Sequence, residues 1–434
     1  MLPCSPRAWI GLRLAAALLL AVGSGSAEVC AQSLTDVVRQ VVADHPRVQA
    51  AVAGVEASGF ALEQARAARL PQFALVADPG RRSLSGEPDA MIGDLGLRGS
   101  LLLYDGGRTR ETINREQDRV RVARQGLRIA AEELAARVAE LYVEWYREEQ
   151  LAALAAESVA AHVALHDRVR EIASFDRGRA SDVLQVGARL QQAKLTEALR
   201  RAAAAEARMV LAEISGIELG DVQPPADLRG KLPLSLNDAL AMLDDHPTLR
   251  AAEAEALAAR RNARLAAAWM RPRIDLVSAL QSPVDPLGQR HHFDELSLRL
   301  AASWVPVDGG AGRAGLRAAE RQGDQAQQWV RSLRRDLGSR VTGLWAQLEG
   351  RRQRLQAHQG LVEHTLQVRE AYWQQFTIGR RSVIDLLNAE GEFFQARSAA
   401  EDERLGLVQS GFRLLAAGAR LTTALGVTVP EVDP

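Results

Sequence analysis

Residues 33–51 read SLTDVVRQVVADHPRVQAA, and residues 235–252 read SLNDALAMLDDHPTLRAA. The Asp44-His45-Pro46 of the first stretch returns as Asp245-His246-Pro247 in the second. Working outward, Pro71 returns as Pro272, Asp105-Gly106-Gly107 as Asp308-Gly309-Gly310, and Phe175 with Gly178 as Phe376 with Gly379. Landmarks recurring in one order are the signature of an internal repeat. The chain therefore reads as a tandem duplication: a first repeat at 32–219, a linker at 220–234 carrying Pro224, Pro225 and Pro233, a second repeat at 235–426, and a tail at 427–434. Each half has an Ala-rich helical stretch ended by the proline, which breaks a helix interior. Two short alternating segments follow, then a long helical stretch, a Gly-containing turn and a returning helix.

The alternating segments have period two. Leu95, Leu97, Gly99, Leu101 and Leu103 point one way, and Gly96, Arg98, Ser100 and Leu102 the other. Leu296, Leu298, Leu300, Ala302 and Trp304 likewise alternate with Ser297, Arg299, Ala301 and Ser303. One apolar and one polar face suit a barrel strand between lipid and water, and equally a half-exposed strand of a soluble sheet. Four short strands cannot close a barrel, so closure requires several subunits in one sheet. The stretches Arg108–Ile172 and Ala311–Gln375 carry no proline. At 1.5 Å per residue, about 65 residues make a helix of roughly 98 Å. Leu127, Ala131, Leu134, Val138, Leu141 and Trp145, and then Leu333, Leu337, Val341, Leu344 and Leu348, follow the 3–4 alternation of a coiled-coil seam.

The termini and composition bound the rest. Arg7 and Arg13 accompany an apolar run from Ala8 to Val22, followed by small residues, which is the layout of a secretory signal peptide over 1–31. Val29-Cys30-Ala31 and Gly25-Ser26-Ala27 both offer cleavage sites, and Glu28-Val29 is a poor lead-in for lipid attachment at Cys30. Cleavage after Ala31 removes both cysteines, Cys4 and Cys30, and with them any disulfide or thiolate metal site. The full chain has 54 basic and 54 acidic side chains, without the basic excess of a nucleic-acid binder. No later apolar run reaches the roughly 18 residues of a spanning helix. A membrane crossing would have to be a β-barrel, in which every backbone polar group is paired.

These features together resemble the TolC family of outer-membrane efflux and type I secretion ducts: the leader, two repeats opening on a His-Pro helix, the LLLYDGG strand end at 101–107, and FTIGRRSVIDLLNAEGEFFQA at 376–396. The resemblance implies a mainly α fold with a small β portion. A long helical coiled-coil barrel would carry four strands per chain into a trimeric, 12-stranded transmembrane barrel. It implies a homotrimer in outer-membrane lipid, reaching through the periplasm to a periplasmic adaptor (membrane fusion) protein and an inner-membrane transporter, ABC-type or proton-driven. It also implies a passive duct, with no catalytic residues, cofactor or metal. Arg98 and Arg299 would face the barrel lumen, either as a positive ring or as ordinary solvation of the wall. Asp105, Gly106, Gly107, Asp308, Gly309 and Gly310 would be swivels between strand and helix, with Asp able to cap the helix start. The periplasmic constriction would lie at the second hairpin. There Phe376 stands at a frequently tyrosine position, Arg381 and Asp385 match a linking arginine and a first acidic ring, and Asn388 replaces a second acidic residue. Asp182 lies four residues after Gly178 and Asp385 six after Gly379, so the two tips are not expected to be equivalent. Asp78–Asp94 and Gln281–Glu295 would be outer loops.

Other motifs carry less. Gly310, Gly312 and Gly315 form a literal G-x-G-x-x-G, yet a long helix follows where a nucleotide site needs a second strand with an acidic end. His162 and His166 are spaced to share a metal but lack a third ligand, and His291-His292 falls in an outer loop. A periplasmic coiled-coil adaptor that never enters a membrane is the other function class. The Leu/Arg alternation at 95–103 and 296–304 speaks against it.

Overall fold

The computed structural model describes residues 33–83, 85, 90–175, 179–284 and 295–432. The leader with Cys4 and Cys30, Gly178, His291-His292 and parts of both expected outer loops lie outside the described residues.

Helix α1 (Leu34–Asp44) begins at Ser33, whose hydroxyl accepts the Asp36 N–H and donates to the Asp36 carboxylate at 2.6 Å. His45 ends α1 and starts α2 (Pro46–Ala67): its Nδ1 accepts the Arg47 N–H at 3.0 Å. Pro46 takes the first helical position, where no N–H is needed. In the second half, α5 (Leu236–Ala241) runs through a 3₁₀ turn at Met242–Asp245 into α6 (Pro247–Ala267). His246 caps α6 in the same way, accepting from the Thr248 N–H at 3.2 Å. The His-Pro landmark is thus a helix-start device. Twelve positions separate Ser33 from His45, but eleven separate Ser235 from His246. Four residues at about 2.0 Å rather than 1.5 Å lengthen the segment by about 2 Å, which makes up for the missing residue.

The two histidines differ in burial, and this has a consequence for pH. His246 is buried, which pushes its pKa down, as do the charges of Arg340 and Arg128, against a hydrogen bond to the Ala417 carbonyl that raises it. A depressed folded pKa means stability that is present above the unfolded pKa of about 6.5 and lost as pH falls through the folded value. His45→Ala is expected to cost about 1 kcal/mol, the usual worth of a cap. His246→Ala is expected to cost more and to flatten the loss of stability between pH 7 and pH 5, read as heat-denaturation midpoints. An unchanged pH profile would show that another group titrates.

After α2 the chain enters β1 (Gln72–Arg82) and β2 (Ala90–Tyr104). After α6 it enters β3 (Arg273–Val284) and β4 (Glu295–Ser303). The four form one antiparallel sheet in the order β1-β2-β3-β4, so the two halves meet at β2 and β3. The strands run further than the expected loop boundaries at 78–94 and 281–295. Asp78 still pairs with Asp94, and Arg82 with Ala90, because backbone pairing accepts polar residues as readily as apolar ones.

Two hairpins of long helices complete the fold: α3 (Arg108–Phe175) with α4 (Ala180–Ser215), and α7 (Ala311–Thr377) with α8 (Val383–Ala417). The seam positions of α3 from Leu127 to Trp145 are buried except for the partly buried Leu141. On α7, Val341 and Leu348 are buried while Leu333, Leu337 and Leu344 are partly so. Arg108 to Ala311 and Ala180 to Val383 are each 203 positions, but Phe175 to Phe376 is 201. Those phenylalanines are accordingly not structural counterparts: Phe175 is 89% exposed and Phe376 3%.

The main core lies midway along the helices. It joins α1, the middle of α3 and the end of α8 to α9 (Leu421–Leu425). The proline-rich segment at 220–234 is packed onto it. The buried Tyr142 hydroxyl accepts the Gln223 N–H and donates to the Gln223 carbonyl, and Lys231 Nζ donates to the Ala424 carbonyl at 2.6 Å. The tail is packed as well, with Val427 buried and Val429 and Val432 against the core. Glu132 of α3 accepts the Leu421 and Thr422 N–H groups, each at 3.2 Å, and the Thr422 hydroxyl. Burial nevertheless pushes its carboxyl up.

Candidate functional site

The sheet sorts its side chains by register. On one face Leu75, Leu97, Leu280 and Leu296 form a rung, and Phe73, Gly99, Ser278 and Leu298 the next. Leu101, Leu276 and Leu300 continue it. Leu296, Leu298 and Leu300 are 77%, 71% and 68% exposed in the single chain, an arrangement that water penalises and lipid does not. The Phe73 ring lies over Gly99, where an added Cβ would meet it at 3.1 Å. Phe73, Tyr104 and Trp304 are exposed at the same end of the sheet, next to the helices. Aromatic rings gather in this way at a membrane–water boundary.

The opposite face is small and polar. Ala74, Arg98, Ala279 and Ser297 share one rung, and Gln72, Ser100, Val277 and Arg299 the next. Arg98 and Arg299 thus lie on one face but on adjacent rungs, about 7 Å apart along the strands. Arg273 on the same strand as Asp275 donates to its carboxylate at 2.8 and 3.1 Å.

Below the sheet the two strand-to-helix junctions share one construction. Gly106 and Gly107 have φ of 69° and 87°, and Gly309 and Gly310 of 70° and 91°, the left-handed region in which glycine bears no Cβ penalty. Asp105 accepts the Gly107 N–H at 2.9 Å and the Thr109 N–H at 2.6 Å, capping α3. Asp308 accepts the Gly310 N–H at 3.0 Å and the Gly312 N–H at 2.6 Å, capping α7. Burial alone would raise the Asp105 carboxyl, but the bonds from Thr109 and from the Gly107 and Arg108 amides together hold it below the usual range. The first junction is also clamped from outside by Arg271, whose Nη1 donates to the Gly106 carbonyl at 2.6 Å and whose side chain fills the space beside Gly106. In the second, the Trp269 ring occupies the place a Gly312 side chain would take. The glycines of the G-x-G-x-x-G motif therefore have local duties: Gly310 bends the backbone and Gly312 seats a ring.

At the far end, Phe376 packs inward with Leu165, Val169, Val186, Val383, Leu386 and Leu387. Arg381 lies over the Tyr372 ring at 4.2 Å, donates to Gln375 Oε1 at 2.9 Å and approaches the Asp385 carboxylate at 3.6 Å. Ser382 caps α8: its hydroxyl accepts the Asp385 N–H at 3.1 Å and donates to the Asp385 carboxylate at 2.9 Å. The Ser382 hydroxyl foremost, with Arg381 beside it, holds the Asp385 carboxyl below its usual range. Asn388 lines a cavity of about 380 Å³ between α3, α4 and α8, with Ser158, His162, Arg189 and Glu392. Asp182 stands in the first turn of α4. The geometry brings Arg381 and Asp385 together and keeps Phe376 and Asn388 on other surfaces. Arg271, Trp269, Ser382 and Tyr372 escaped sequence reasoning. Only the Ser382-x-x-Asp385 spacing carried a readable signal, that of a helix start.

The two spaced histidines both have neighbours within the fold. His162 is buried with Nδ1 2.8 Å from the Ser158 carbonyl, and His166 sits beside Asp167 at 3.5 Å. Among the described residues no group of three or more His, Cys, Asp or Glu side chains is placed to hold a metal ion, and no helix is long and apolar enough to cross a membrane.

Comparison with known proteins agrees with this layout. The family model described as "Outer membrane efflux protein" matches residues 37–217 and again 240–423. The outer membrane efflux protein BepC of Brucella suis biovar 1 is 25% identical over 430 residues, covering 97% of this chain and 93% of that protein. Among solved structures, CusC superposes with a TM-score of 0.79 at 17% identity, over 92% of this chain and 93% of its own. The outer membrane protein VceC of Vibrio cholerae gives 0.76 at 16%, over 92% and 97%.

Proposed function

The chain belongs to the outer membrane efflux protein family, an outer-membrane efflux channel reaching into the periplasm, and we propose that three copies assemble as one passive duct. Four strands from each copy would close a 12-stranded barrel, with the leucine face in lipid and the Arg98/Arg299 face lining the lumen. The observation that carries this reading is the sheet itself: one exposed apolar face, one polar face and two open edges, a combination that a single chain cannot bury. The same sheet argues against a soluble periplasmic adaptor, which would have no use for exposed leucines beside an aromatic rim.

The duct lowers no chemical barrier and catalyses no reaction. An inner-membrane transporter supplies the energy through a periplasmic adaptor, which meets the hairpin ends. The glycine swivels let each strand turn into a helix, so that barrel and tunnel share one wall. At the periplasmic end Asp385, set by Ser382 and Arg381, is the acidic group of the constriction. Three copies around a narrow mouth focus their field on passing cations. Phe376 supports this wall from inside, and Asn388 adds no charge.

Planar-bilayer recording tests the reading. The purified protein is expected to open discrete ion-conducting pores, and Asp385→Ala to weaken their block by divalent cations added on the periplasmic side. Pores with unchanged block would place the constriction elsewhere; absence of pores would overturn the duct.

A further inference from the structure

The arms of the two helical hairpins start 203 positions apart. Glu148 of α3 pairs with Arg200 of α4 at 3.0 Å, and Arg351 of α7 with Glu403 of α8 at 3.3 Å. Both pairs span 52 positions, and Glu148 to Arg351 and Arg200 to Glu403 are each 203. The pairs occupy equivalent places with opposite polarity. That shared register allows the contacts between the hairpins to be mapped from one side of the chain to the other.

Within the chain, the hairpins meet along α3 and α8, where ion pairs flank the apolar core. Arg413 Nε contacts Glu140 at 2.7 Å, Arg147 contacts Asp402 at 2.8 Å, and Arg397 pairs with Glu157. Shifted by 203, the α3 positions 140, 147 and 157 become Gly343, Gly350 and Gly360 on α7. The α8 positions 413, 402 and 397 become Val210, Leu199 and Lys194 on α4. All three acidic or basic α3 groups are replaced by glycine, and two of the three α8 groups by aliphatic side chains. Both faces are unpartnered in the single chain. On α4, Leu184, Leu195, Leu199 and Met209 are each at least 60% exposed, and Ala188, Leu195, Ala202 and Met209 fall at heptad spacing. On α7, a side chain at Gly343 or Gly360 would meet nothing within 4 Å, and at Gly350 only the end of Arg354 at 3.5 Å. Glycine inside a helix is destabilising relative to alanine, and the single chain shows no contact that offsets it.

Given the assembly proposed above, we infer that these two faces are one seam: α4 of one copy packs antiparallel on α7 of the next, with Leu199 opposite Gly350, Val210 opposite Gly343 and Lys194 opposite Gly360. The occupant is a second copy of this chain. Three things specify it: the α3–α8 interface that the register repeats, the chemical fit of aliphatic knobs to glycine notches, and the open edges of β1 and β4. The inner seam then adds ion pairs to its apolar contacts, whereas the outer one sets aliphatic groups against glycine at the equivalent places. If α4 of another copy took the place of α8 on α3, Glu140, Arg147 and Glu157 would be buried beneath apolar groups without partners, which opposes that closure.

Disulfide trapping tests the register, in full-length protein with Cys4→Ser and Cys30→Ser so that only introduced thiols remain. Leu199→Cys with Gly350→Cys, and independently Lys194→Cys with Gly360→Cys, are expected to link separate copies on mild oxidation of outer membranes. The pair Leu199→Cys with Ala357→Cys, one heptad out of register, is expected not to link, since disulfides require Cα atoms within about 7 Å. Arg147→Cys with Asp402→Cys, at a contact seen within the chain, is the control and is expected to link within one chain. If the control forms and the extracted protein has the mass of three chains but neither test pair links, the seam is overturned while the trimer stands. If the extracted protein has the mass of one chain, the trimer fails and the seam with it.

Discussion

Leu298→Arg is expected to abolish the assembled protein in the outer membrane, whereas Ser297→Arg, one residue away, is expected to leave it near the wild-type amount. Leu298 lies on the exposed apolar face between Ser278 and open solvent, 71% exposed in the single chain. On a lipid-facing barrel position near the midplane, an arginine costs about 2–4 kcal/mol, and symmetry would repeat that cost in every copy. Ser297 shares its rung with Ala279, Ala74 and Arg98, so in the proposed barrel a new side chain there meets the lumen. It adds charge to an already polar wall and little instability. The readout is the quantity of assembled protein in washed outer membranes. Equal loss for both substitutions would show that the two faces do not meet different solvents.

Gly106→Ala is expected to be far more damaging than Gly309→Ala, although the two residues are landmarks of the same motif. Both have left-handed backbone, φ of 69° and 70°, and an L-residue there costs roughly 1–2 kcal/mol. At Gly309 nothing lies within 4 Å of an added Cβ, so that conformational cost is the whole effect. At Gly106 the Cβ would fall 2.4 Å from the Arg271 Cβ and 2.7 Å from its Cδ. The Arg271 bond to the Gly106 carbonyl must break as the side chain is pushed aside, and the clamp on the α3 junction is lost. Heat-denaturation midpoints of the two variants measure the difference. Comparable small shifts would mean that Arg271 yields without consequence.

What could be read from the sequence was whatever is encoded by nearest neighbours along the chain. The leucines of 95–103 announce a two-faced strand, which the sheet register reproduces; His45-Pro46, read only as part of an opening helix, starts a second one. The relations between distant segments were not encoded in this way. The offset of Arg98 and Arg299 by one rung depends on how β2, β3 and β4 pair, which neither strand specifies alone. The proline-rich crossing at 220–234 reads as a free linker because its anchor, Tyr142, lies 81 positions from Gln223. Phe175 and Phe376 look like counterparts because both precede a glycine turn, yet a two-position difference in register turns one outward and the other into the core. Asp385 is the mixed case. Its spacing from Ser382 marks a helix start, and the structure places it in that bond as well as beside Arg381. A carboxylate held by the helix cap would still present its charge to the proposed channel mouth, since the cap fixes where it stands.

The most direct measurement is the mass of the protein extracted from separated membranes, by native mass spectrometry or light scattering in detergent. Recovery in the outer-membrane fraction with three times the mass of one mature chain is expected. Recovery as a soluble single chain in the periplasmic fraction would contradict the trimeric duct.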